Sequence, residues 1–244
     1  GSKNTTGSNN TSVGVNALYN TTTGDSNTAV GRDALENNTT GSNNVAVGAY
    51  ALDANTTGSQ GVAIGYNALT SQNSDVKNTA VGYRALQGLT SGDGNVGMGR
   101  DVLYSLTTGG NNVAIGNDAL GSNTTANNNT AVGHSALGVN TIGADNTAVG
   151  SIALDANTTG SNNVAVGRNA LGANTTGSSN CAFGTSALSN NTTDSNNTAV
   201  GDEAMFDANG AAHSTAVGRR SLYELTTGNY NTAVGSSSQY NTTT

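Results

Sequence analysis

The stretch NTAVGRDALENNTTGSN, residues Asn27–Asn43, decides the fold because it returns along the chain at a fixed distance. The glycine that ends its NTAVG phrase recurs every 17 residues in fourteen copies, with no insertion or deletion. A disordered spacer has no reason to keep such a register, whereas a stacked coil that lost one residue would turn its side chains to the wrong face. The sequence therefore predicts a solenoid of 17-residue coils. The repeated glycines are Gly14, Gly31, Gly48, Gly65, Gly82, Gly99, Gly116, Gly133, Gly150, Gly167, Gly184, Gly201, Gly218 and Gly235.

The composition by itself is typical of a low-complexity chain. The 244 residues are 34% apolar and 4% aromatic, with no Trp and no Pro, so little apolar surface offsets the entropy of folding. Only 9% of the residues are charged and the net charge is −7, which is too weak a repulsion to hold the chain open. The eight basic residues are scattered, which argues against nucleic-acid binding. No apolar run approaches the roughly 20 residues of a membrane span, so we expect no membrane insertion.

The 17 positions of the repeat differ in how strictly they keep one residue type. We number them as columns one to seventeen, with Asn27 in column one. Column four is always large and apolar, and column nine is Leu in twelve units, with Met205 and Gln239 in the other two. We predict strands over columns one to five and about eight to thirteen, with columns two, four and nine facing the interior and the Ala of column three facing outward.

The polar columns predict how the coils stack. The Asn of column one and the Asn-Thr-Thr of columns twelve to fourteen are expected to form ladders, each side chain bonding to its copies in neighbouring coils. The Gly of column fifteen is expected to supply a positive φ. The predicted fold is an all-β, single-domain parallel β-solenoid of about fourteen coils over residues 3–244, a fragment of a longer fibre, with Gly1 and Ser2 as a cloning remnant.

The Ala residues of columns three and eight raise the question of a partner. A small apolar residue held outward at every level allows the backbone of another chain to approach closely, and burying such a face would add to the stability of a thin core. The alternative is that Ala merely suits an exposed strand. The first interpretation predicts a homo-oligomer.

The phrases NVAIGNDAL, ending at Leu120, and NVAVGRNAL, ending at Leu171, resemble the head repeats of YadA-like trimeric autotransporter adhesins and related repeats of phage tail fibres. The resemblance extends over all fourteen units. It implies a left-handed β-roll, a homotrimer, and an extracellular place on a cell surface or virion, where the chain binds or spaces a host-binding surface. The adhesin unit is usually shorter than 17 residues, which favours the phage-fibre branch.

The variable columns hold the candidate binding residues. All six Arg residues lie in columns six or seven, and aromatic residues recur in columns six and ten. Glycans are commonly held by Arg, Asp, Asn and Tyr on a rigid platform, so this edge is a candidate site for a host-cell glycan or protein. The alternative is a solvated turn edge. The candidates are Tyr66, Tyr83, Arg100, Tyr104, Arg219, Arg220 and Tyr223.

Catalytic motifs are absent from the sequence, so we expect no enzyme activity and no metal or other cofactor. The single cysteine, Cys181, lies in column two and is interpreted as a buried spacer. A rival function is ice binding, because flat β-solenoids with regular Thr arrays can bind ice. The Thr pair of each turn, such as Thr39 and Thr40, is adjacent, however, and a strand would send the two hydroxyls to opposite faces.

The stretch GDEAMFDANGAAHSTAVGRR, residues 201–220, concentrates acidic, basic and histidine residues in the way that an active site can. Its acids Asp202 and Glu203 lie in columns six and seven of one coil, and Arg219 and Arg220 lie in the same columns of the next. The spacing therefore predicts two stacked ion pairs, repeated by Arg84 with Asp101, each worth about 0.2–1 kcal/mol. His213, in column seventeen, is expected to lie on the order of 15 Å from the acids.

Overall fold

The computed structural model describes residues 3–73 and 77–242. The interpretation of Gly1 and Ser2 as a cloning remnant lies outside the described residues. The described part of the chain is an all-β parallel β-solenoid of about 13 turns at a spacing of 17 residues, which confirms the predicted repeat fold. The chain divides into two compact units, residues 1–125 and 126–244.

Each coil contributes one three-residue strand over columns two to four. In the first unit these are β1 (Thr11–Val13), β2 (Thr28–Val30), β3 (Val45–Val47), β4 (Val62–Ile64), β5 (Thr79–Val81), β6 (Val96–Met98) and β7 (Val113–Ile115). In the second unit they are β8 (Thr130–Val132), β9 (Thr147–Val149), β10 (Val164–Val166), β11 (Cys181–Phe183), β12 (Thr198–Val200), β14 (Thr215–Val217) and β16 (Thr232–Val234).

Within each unit the strands pair in parallel with the residue 17 positions further on. Thr28 of β2 pairs with Val45 of β3, and Val164 of β10 pairs with Cys181 of β11. The backbone bonds are of ordinary length, since the Thr28 N–H donates to the Asn44 carbonyl at 2.8 Å. The fixed sequence period is therefore the register of the sheet.

The prediction of a second strand over columns eight to thirteen is wrong for most coils. Paired strands there are described only near the end of the second unit, as β13 (Asp207–Ala208), β15 (Glu224–Leu225) and β17 (Asn241–Thr242). Elsewhere the described residues of these columns form consecutive turns. The Leu of column nine has a φ near +50°, as at Leu35, and that left-handed conformation cannot continue an extended strand.

The orientation predicted for the first strand is also wrong. Ala29, in column three, is fully buried, whereas its neighbours Thr28 and Val30 are only half-buried on the outer face. The same pattern holds in the strands that follow in both units, whereas β1, the first strand, is exposed throughout. The Ala of column eight is buried too, as at Ala34. The Leu of column nine is buried as predicted. The Ala columns therefore form the core and do not form an outward apolar face.

The physical reason is the narrowness of the coil, whose interior is filled by the column-nine Leu and the side chains of columns one and twelve. The exception at Gly97 shows how tight the fit is. This glycine replaces the column-three Ala, and a Cβ there would lie 3.0 Å from Leu86 Cδ1 and 3.1 Å from Val102 Cγ1. Val102 is the residue that replaces the column-eight Ala in the same coil. The methyl group missing at Gly97 therefore leaves the space that the larger Val102 side chain fills.

Two ladders of buried Asn side chains complete the core. The side chains of column twelve bond to one another as predicted, whereas those of column one bond mainly to the main chain of neighbouring coils. In column one, the Asn27 Oδ1 accepts a hydrogen bond from the Asn44 N–H at 3.0 Å, and the Asn27 Nδ2 donates to the Gly41 carbonyl at 2.8 Å. In column twelve, the Asn55 Nδ2 donates to the Asn38 Oδ1 at 3.1 Å. Buried polar groups are stable when they are hydrogen-bonded, and these ladders meet that need for most of their atoms. The Oδ1 atoms of Asn55 and Asn191 are buried and accept no hydrogen bond from the described residues.

The Thr residues of column thirteen bond differently from the prediction. The Thr39 hydroxyl donates to the Thr56 carbonyl at 2.9 Å and does not bond to the Thr56 side chain. In most coils the Gly of column fifteen also has a different role, because its φ is not positive, as at Gly24, Gly41 and Gly143. Gly228, with a φ of +124°, has the predicted conformation. At Gly41 a Cβ would clash with the Gly58 carbonyl oxygen of the next coil, so close approach is what requires glycine. The positive φ belongs to the glycine of column five, such as Gly31 at +136°.

Candidate binding edge and outward strip

Columns six, seven and ten lie on one edge of the solenoid, just after the three-residue strand, and carry the candidate binding residues. In the first unit six of their side chains form a continuous row of contacts, in which Tyr50 meets Tyr66 edge to face at 5.9 Å; we call this row the tyrosine–arginine ladder. Its members come from five successive coils, because the parallel register brings equivalent columns together at the spacing of neighbouring strands, about 4.8 Å. The ladder consists of Arg32, Tyr50, Tyr66, Tyr83, Arg84 and Tyr104.

The contacts within the ladder are aromatic and cation–π. The Tyr66 and Tyr83 rings stack with their centroids 5.5 Å apart and their planes 12° from parallel. The Arg84 guanidinium carbon lies 5.1 Å from the Tyr83 centroid and 4.7 Å from the Tyr104 centroid, so it lies between the two rings. At the other end, Arg32 lies 4.6 Å from the Tyr50 centroid and donates to the Tyr50 hydroxyl. Such contacts are worth about 0.5–1 kcal/mol at exposed sites.

The ladder remains open to solvent despite this packing. Tyr66 and Tyr83 are 45% and 47% exposed, and Tyr104 is 38% exposed. Single exposed apolar residues are ordinary, but a contiguous row of them on a polar surface indicates an interaction site.

The charges beside the ladder are paired. Arg84 Nε donates to Asp101 Oδ1 at 2.6 Å, and this bond raises the pKa of the Arg84 guanidinium. Arg100, whose side chain is 63% exposed, lies 3.1 Å from Asp101 and 4.0 Å from Asp118. Two cations and two carboxylates therefore cancel, leaving a local surface with many donors and acceptors but no net charge.

The acids at the start of the ladder are crowded. Burial raises the pKa of Asp53 above its ordinary value of 3.8, and the nearby carboxylates of Glu36 and Asp33 raise it further. Asp33 is itself paired with Arg32 at 3.3 Å.

The second unit holds a separate aromatic cluster in column ten. Phe206, Tyr223 and Tyr240 come from three successive coils and stack almost parallel, with centroid separations of 5.2 and 4.8 Å. The Arg220 guanidinium lies 5.6 Å from the Tyr223 centroid. Column-ten rings therefore stack face to face along the solenoid.

The ion pairs predicted for residues 201–220 are confirmed. Arg219 Nε lies 3.4 Å from Asp202 Oδ2, and Arg220 Nε donates to Glu203. The pair predicted between Arg84 and Asp101 is also present. His213 stacks on Tyr230 with a centroid separation of 5.0 Å, a contact between residues of column seventeen.

The structure thus divides the predicted site residues into two groups. Tyr66, Tyr83, Arg100 and Tyr104 lie in the first unit, whereas Arg219, Arg220 and Tyr223 lie in the second. Sequence reasoning missed the central place of Arg84 between two rings, and it missed Tyr50. The sequence did carry a signal for this contact. Arg84 is in column seven of one coil and Tyr104 is in column ten of the next coil, so the two columns lie close enough for their side chains to meet between neighbouring coils.

A second surface follows from the orientation of the strand. Columns two and four project outward side by side, and we call them the outward strip. They hold Thr, Val and Cys181 in column two, and Val, Ile, Met98 and Phe183 in column four, with no charged residue in either. In the first unit Ile64, Met98 and Ile115 are about two-fifths exposed, and in the second unit Phe183 is similarly exposed.

Cys181 lies on this strip and is half-buried, so its interpretation as a buried spacer is wrong. Burial raises the pKa of its thiol, which lowers its thiolate fraction. Among the described residues, no group of three or more His, Cys, Asp and Glu side chains is placed to hold a metal ion. The part of the chain that the structure describes has no helix with the length and apolar character needed to cross a membrane.

No protein-family model matches the chain, and no curated protein matches it in sequence. The resemblance to adhesin heads and tail fibres therefore remains a prediction.

Proposed function

We propose that the chain is a structural and adhesive fibre domain of a phage tail fibre or a bacterial surface adhesin, placed outside the cell or on a virion. It forms a homotrimer, and the edge formed by columns six, seven and ten presents the surface that binds a glycan or protein of a host cell. The observation that carries this proposal is the outward strip, which exposes Val, Ile, Met and Phe on a face with no charged residue.

The strip supports self-association because its apolar residues lie in adjacent rows of consecutive coils. Contiguous exposed apolar patches larger than a few hundred Å² are rare on monomers and mark interaction sites. Closed symmetric assembly matches identical patches on each copy, and a parallel solenoid presents the same patch at every level. The partner surface is therefore columns two and four, in place of the Ala columns of the sequence prediction.

The mass in solution tests the assembly. Sedimentation equilibrium is expected to give three times the 24.0 kDa of one chain. A monomer at micromolar concentration would contradict the homotrimer and remove the main support for the adhesin proposal.

Cys181 provides a test of the surface used. If copies meet through the outward strip in register, the Cys181 residues of different copies lie at the same level, and a short bismaleimide links them into covalent dimers. The Cys181→Ser variant is the control. Labelling by a monofunctional maleimide without any cross-link would contradict assembly through the strip.

Attachment is tested with fluorescently labelled protein on a panel of bacterial and animal cells. Saturable binding to one cell type supports the adhesive role. Failure to bind any cell type while the trimer forms would leave only the spacer role.

Ice binding is a second candidate, because the outward strip holds Thr residues from several coils on one face, whereas the adjacent Thr residues of the turns would point to opposite faces. Thr28 and Val30 project from the same outward face, and Thr recurs in column two of both units. The two candidates compete for one surface, since a trimer would cover the strip. Thermal hysteresis in a monomeric sample would favour ice binding, and its absence would eliminate it.

A further inference from the structure

The tyrosine–arginine ladder ends at an open aromatic face. Tyr104 is the last ring of the ladder, and Arg84 covers the side of this ring that faces the preceding coil. One coil further, the residue of the same column is Gly121. In the second unit, Phe206, Tyr223 and Tyr240 show that side chains of column ten stack ring on ring in successive coils. A ring in column ten of the next coil would stack on Tyr104, but that position is Gly121, which has no side chain to cover the ring.

Backbone conformation does not demand glycine at this position. Gly121 is not in the left-handed region, and a Cβ there would lie 3.3 Å from the Asp118 carbonyl oxygen and 3.7 Å from that of Asp101. A side chain could enter with a shift of a few tenths of an ångström. The glycine thus keeps the Tyr104 face open without being required by the fold.

Polar side chains of columns six and seven lie in the same two coils as Tyr104 and Gly121. Arg100 and Asp118 lie 4.0 Å apart, with side chains 63% and 41% exposed. The Asn117 amide donates to the Asp118 carboxylate. The border therefore offers guanidinium and amide donors together with carboxylate acceptors, while the ion pairs cancel the net charge.

We propose that the face of Tyr104, bordered by Arg100, Asn117 and Asp118, binds one pyranose ring of an uncharged glycan. A sugar ring has a flat C–H face that can stack on an aromatic ring, and its hydroxyl groups both donate and accept hydrogen bonds. Paired charges favour a neutral ligand, because an anionic sugar would have to compete with Asp101 and Asp118 for the arginines. This inference deepens the proposed adhesive function by naming its ligand class.

The test uses four neutral methyl glycosides, those of glucose, galactose, mannose and N-acetylglucosamine, with methyl glucuronide and methyl sialoside as anionic comparators. Saturation-transfer NMR on the full chain is expected to show binding of at least one neutral glycoside, with a Kd in the millimolar range, about 1 mM. A neutral ligand should lose little affinity between low and high salt, because no net charge is screened.

Two variants locate the binding. Gly121→Tyr should place a ring on Tyr104, as Tyr223 stacks on Phe206, and abolish binding while the fold is kept. Tyr104→Ala should weaken binding at least about tenfold. The control is Gly172→Tyr, the same change in column ten of the second unit, where the preceding column-ten residue is Asp155, and binding should be unchanged. Because a Cβ at Gly172 would displace the Asn169 side chain, circular dichroism must first show that this variant and Gly121→Tyr are both folded.

Three results would overturn the proposal: no neutral glycoside binds, Gly121→Tyr binds as well as the unaltered chain, or an anionic sugar binds more tightly than every neutral one. The mass and cell attachment of the same variants separate this proposal from the broader one. If Gly121→Tyr is trimeric and attaches to cells normally, the Tyr104 site is wrong and the adhesive function stands. If the unaltered chain is monomeric and attaches to no cell, the adhesive function is wrong whatever the glycosides do.

Discussion

At the level of single residues, the core is specified by compensation between facing positions. Gly97 is smaller than the Ala usual in column three, and Val102, which faces it in the same coil, is larger than the Ala usual in column eight. The two changes therefore compensate in volume. A second case is Gly61, which replaces a column-one Asn. A Cβ at Gly61 would lie 3.6 Å from the Nε2 of Gln72, so the longer Gln side chain reaches towards the place that Asn leaves. Close packing makes single changes costly and paired changes tolerable.

The Gly97–Val102 pair leads to the first prediction. Gly97→Ala alone should destabilise the chain by about 1–3 kcal/mol through overpacking, and Val102→Ala alone by about 2 kcal/mol through the space it leaves. The double variant restores the Ala–Ala pair of the other coils and should lie within about 1 kcal/mol of the original chain. Chemical unfolding of all four proteins measures the coupling. Additive losses would show that the two side chains do not share one space.

A second prediction concerns the pH dependence that Asp53 creates. Its pKa is raised in the folded chain, chiefly by burial, so the folded state holds the proton more tightly than the unfolded state. Ionised Asp53 therefore lowers stability at neutral pH, and this penalty is relieved as the pH falls through the raised pKa and is absent below the ordinary value of 3.8. Asp53→Asn should accordingly be more stable than the original at pH 7 and equal to it below pH 3.8.

The control for Asp53 is Asp25, whose shift has the opposite sign. The Ser8 backbone N–H and hydroxyl donate to Asp25 at 2.7 and 2.9 Å and lower the pKa of its carboxyl. Its stabilising contribution is present above pH 3.8 and is lost as the pH falls through the lowered pKa. Asp25→Asn should thus be less stable at pH 7, with the difference fading in acid. Thermal melts from pH 2 to 8 compare the two variants, and matching profiles would contradict both assignments.

At the level of the element, hydrogen bonding of buried Asn residues joins one coil to the next. The three-residue strands are short, and the chain between them is mostly turns, so the ladders supply bonds that regular sheet would otherwise provide. In column one of the second unit, the Asn163 Oδ1 accepts from the Asn180 N–H at 2.9 Å, and the Asn163 Nδ2 donates to the Gly177 carbonyl at 2.8 Å. The same column accepts serine, because the Ser214 hydroxyl accepts from the Asn231 N–H at 3.2 Å.

This difference gives a third prediction. Asn163→Ala should destabilise the chain by about 2–3 kcal/mol, because it leaves the buried Asn180 N–H without its acceptor. Asn163→Ser should cost roughly half as much, since a hydroxyl keeps that acceptor. Guanidinium unfolding measures both losses. Equal losses for the two variants would mean that the volume of the Asn side chain matters more than its hydrogen bonds.

At the level of the whole molecule, the proposed assembly depends on which face of the strand is outside. Ala165 is fully buried, whereas Val166 beside it lies on the outward strip. Substitutions on the inner face should therefore change the stability of the folded chain. Substitutions on the outer face should change the association of one chain with another.

The fourth prediction separates these consequences. Val166→Lys should keep the β-rich circular dichroism of the original while reducing the mass in solution towards one chain, because a buried unpaired charge is costly at an interface. Ala165→Val should instead lower folding stability by about 1–3 kcal/mol through overpacking. Circular dichroism and sedimentation of the two variants measure the outcome. A Val166→Lys chain that fails to fold would contradict the outward placement of column four.

The sequence by itself determined the period, and with it the stacked coils, the parallel register, the Asn ladders and the ion pairs of columns six and seven. These features depend on which residues recur 17 positions apart, and a strict repeat makes that visible. The direction in which the strand faces was decided only by the tertiary structure. The alternation of a large residue with Ala along the strand is compatible with either residue facing the interior. The interior of the coil is already filled by Leu and two Asn side chains, so only the small Ala fits there. The tyrosine–arginine ladder was likewise hidden in part, because Arg84 reaches Tyr104 by a diagonal step between columns that no single repeated position reveals.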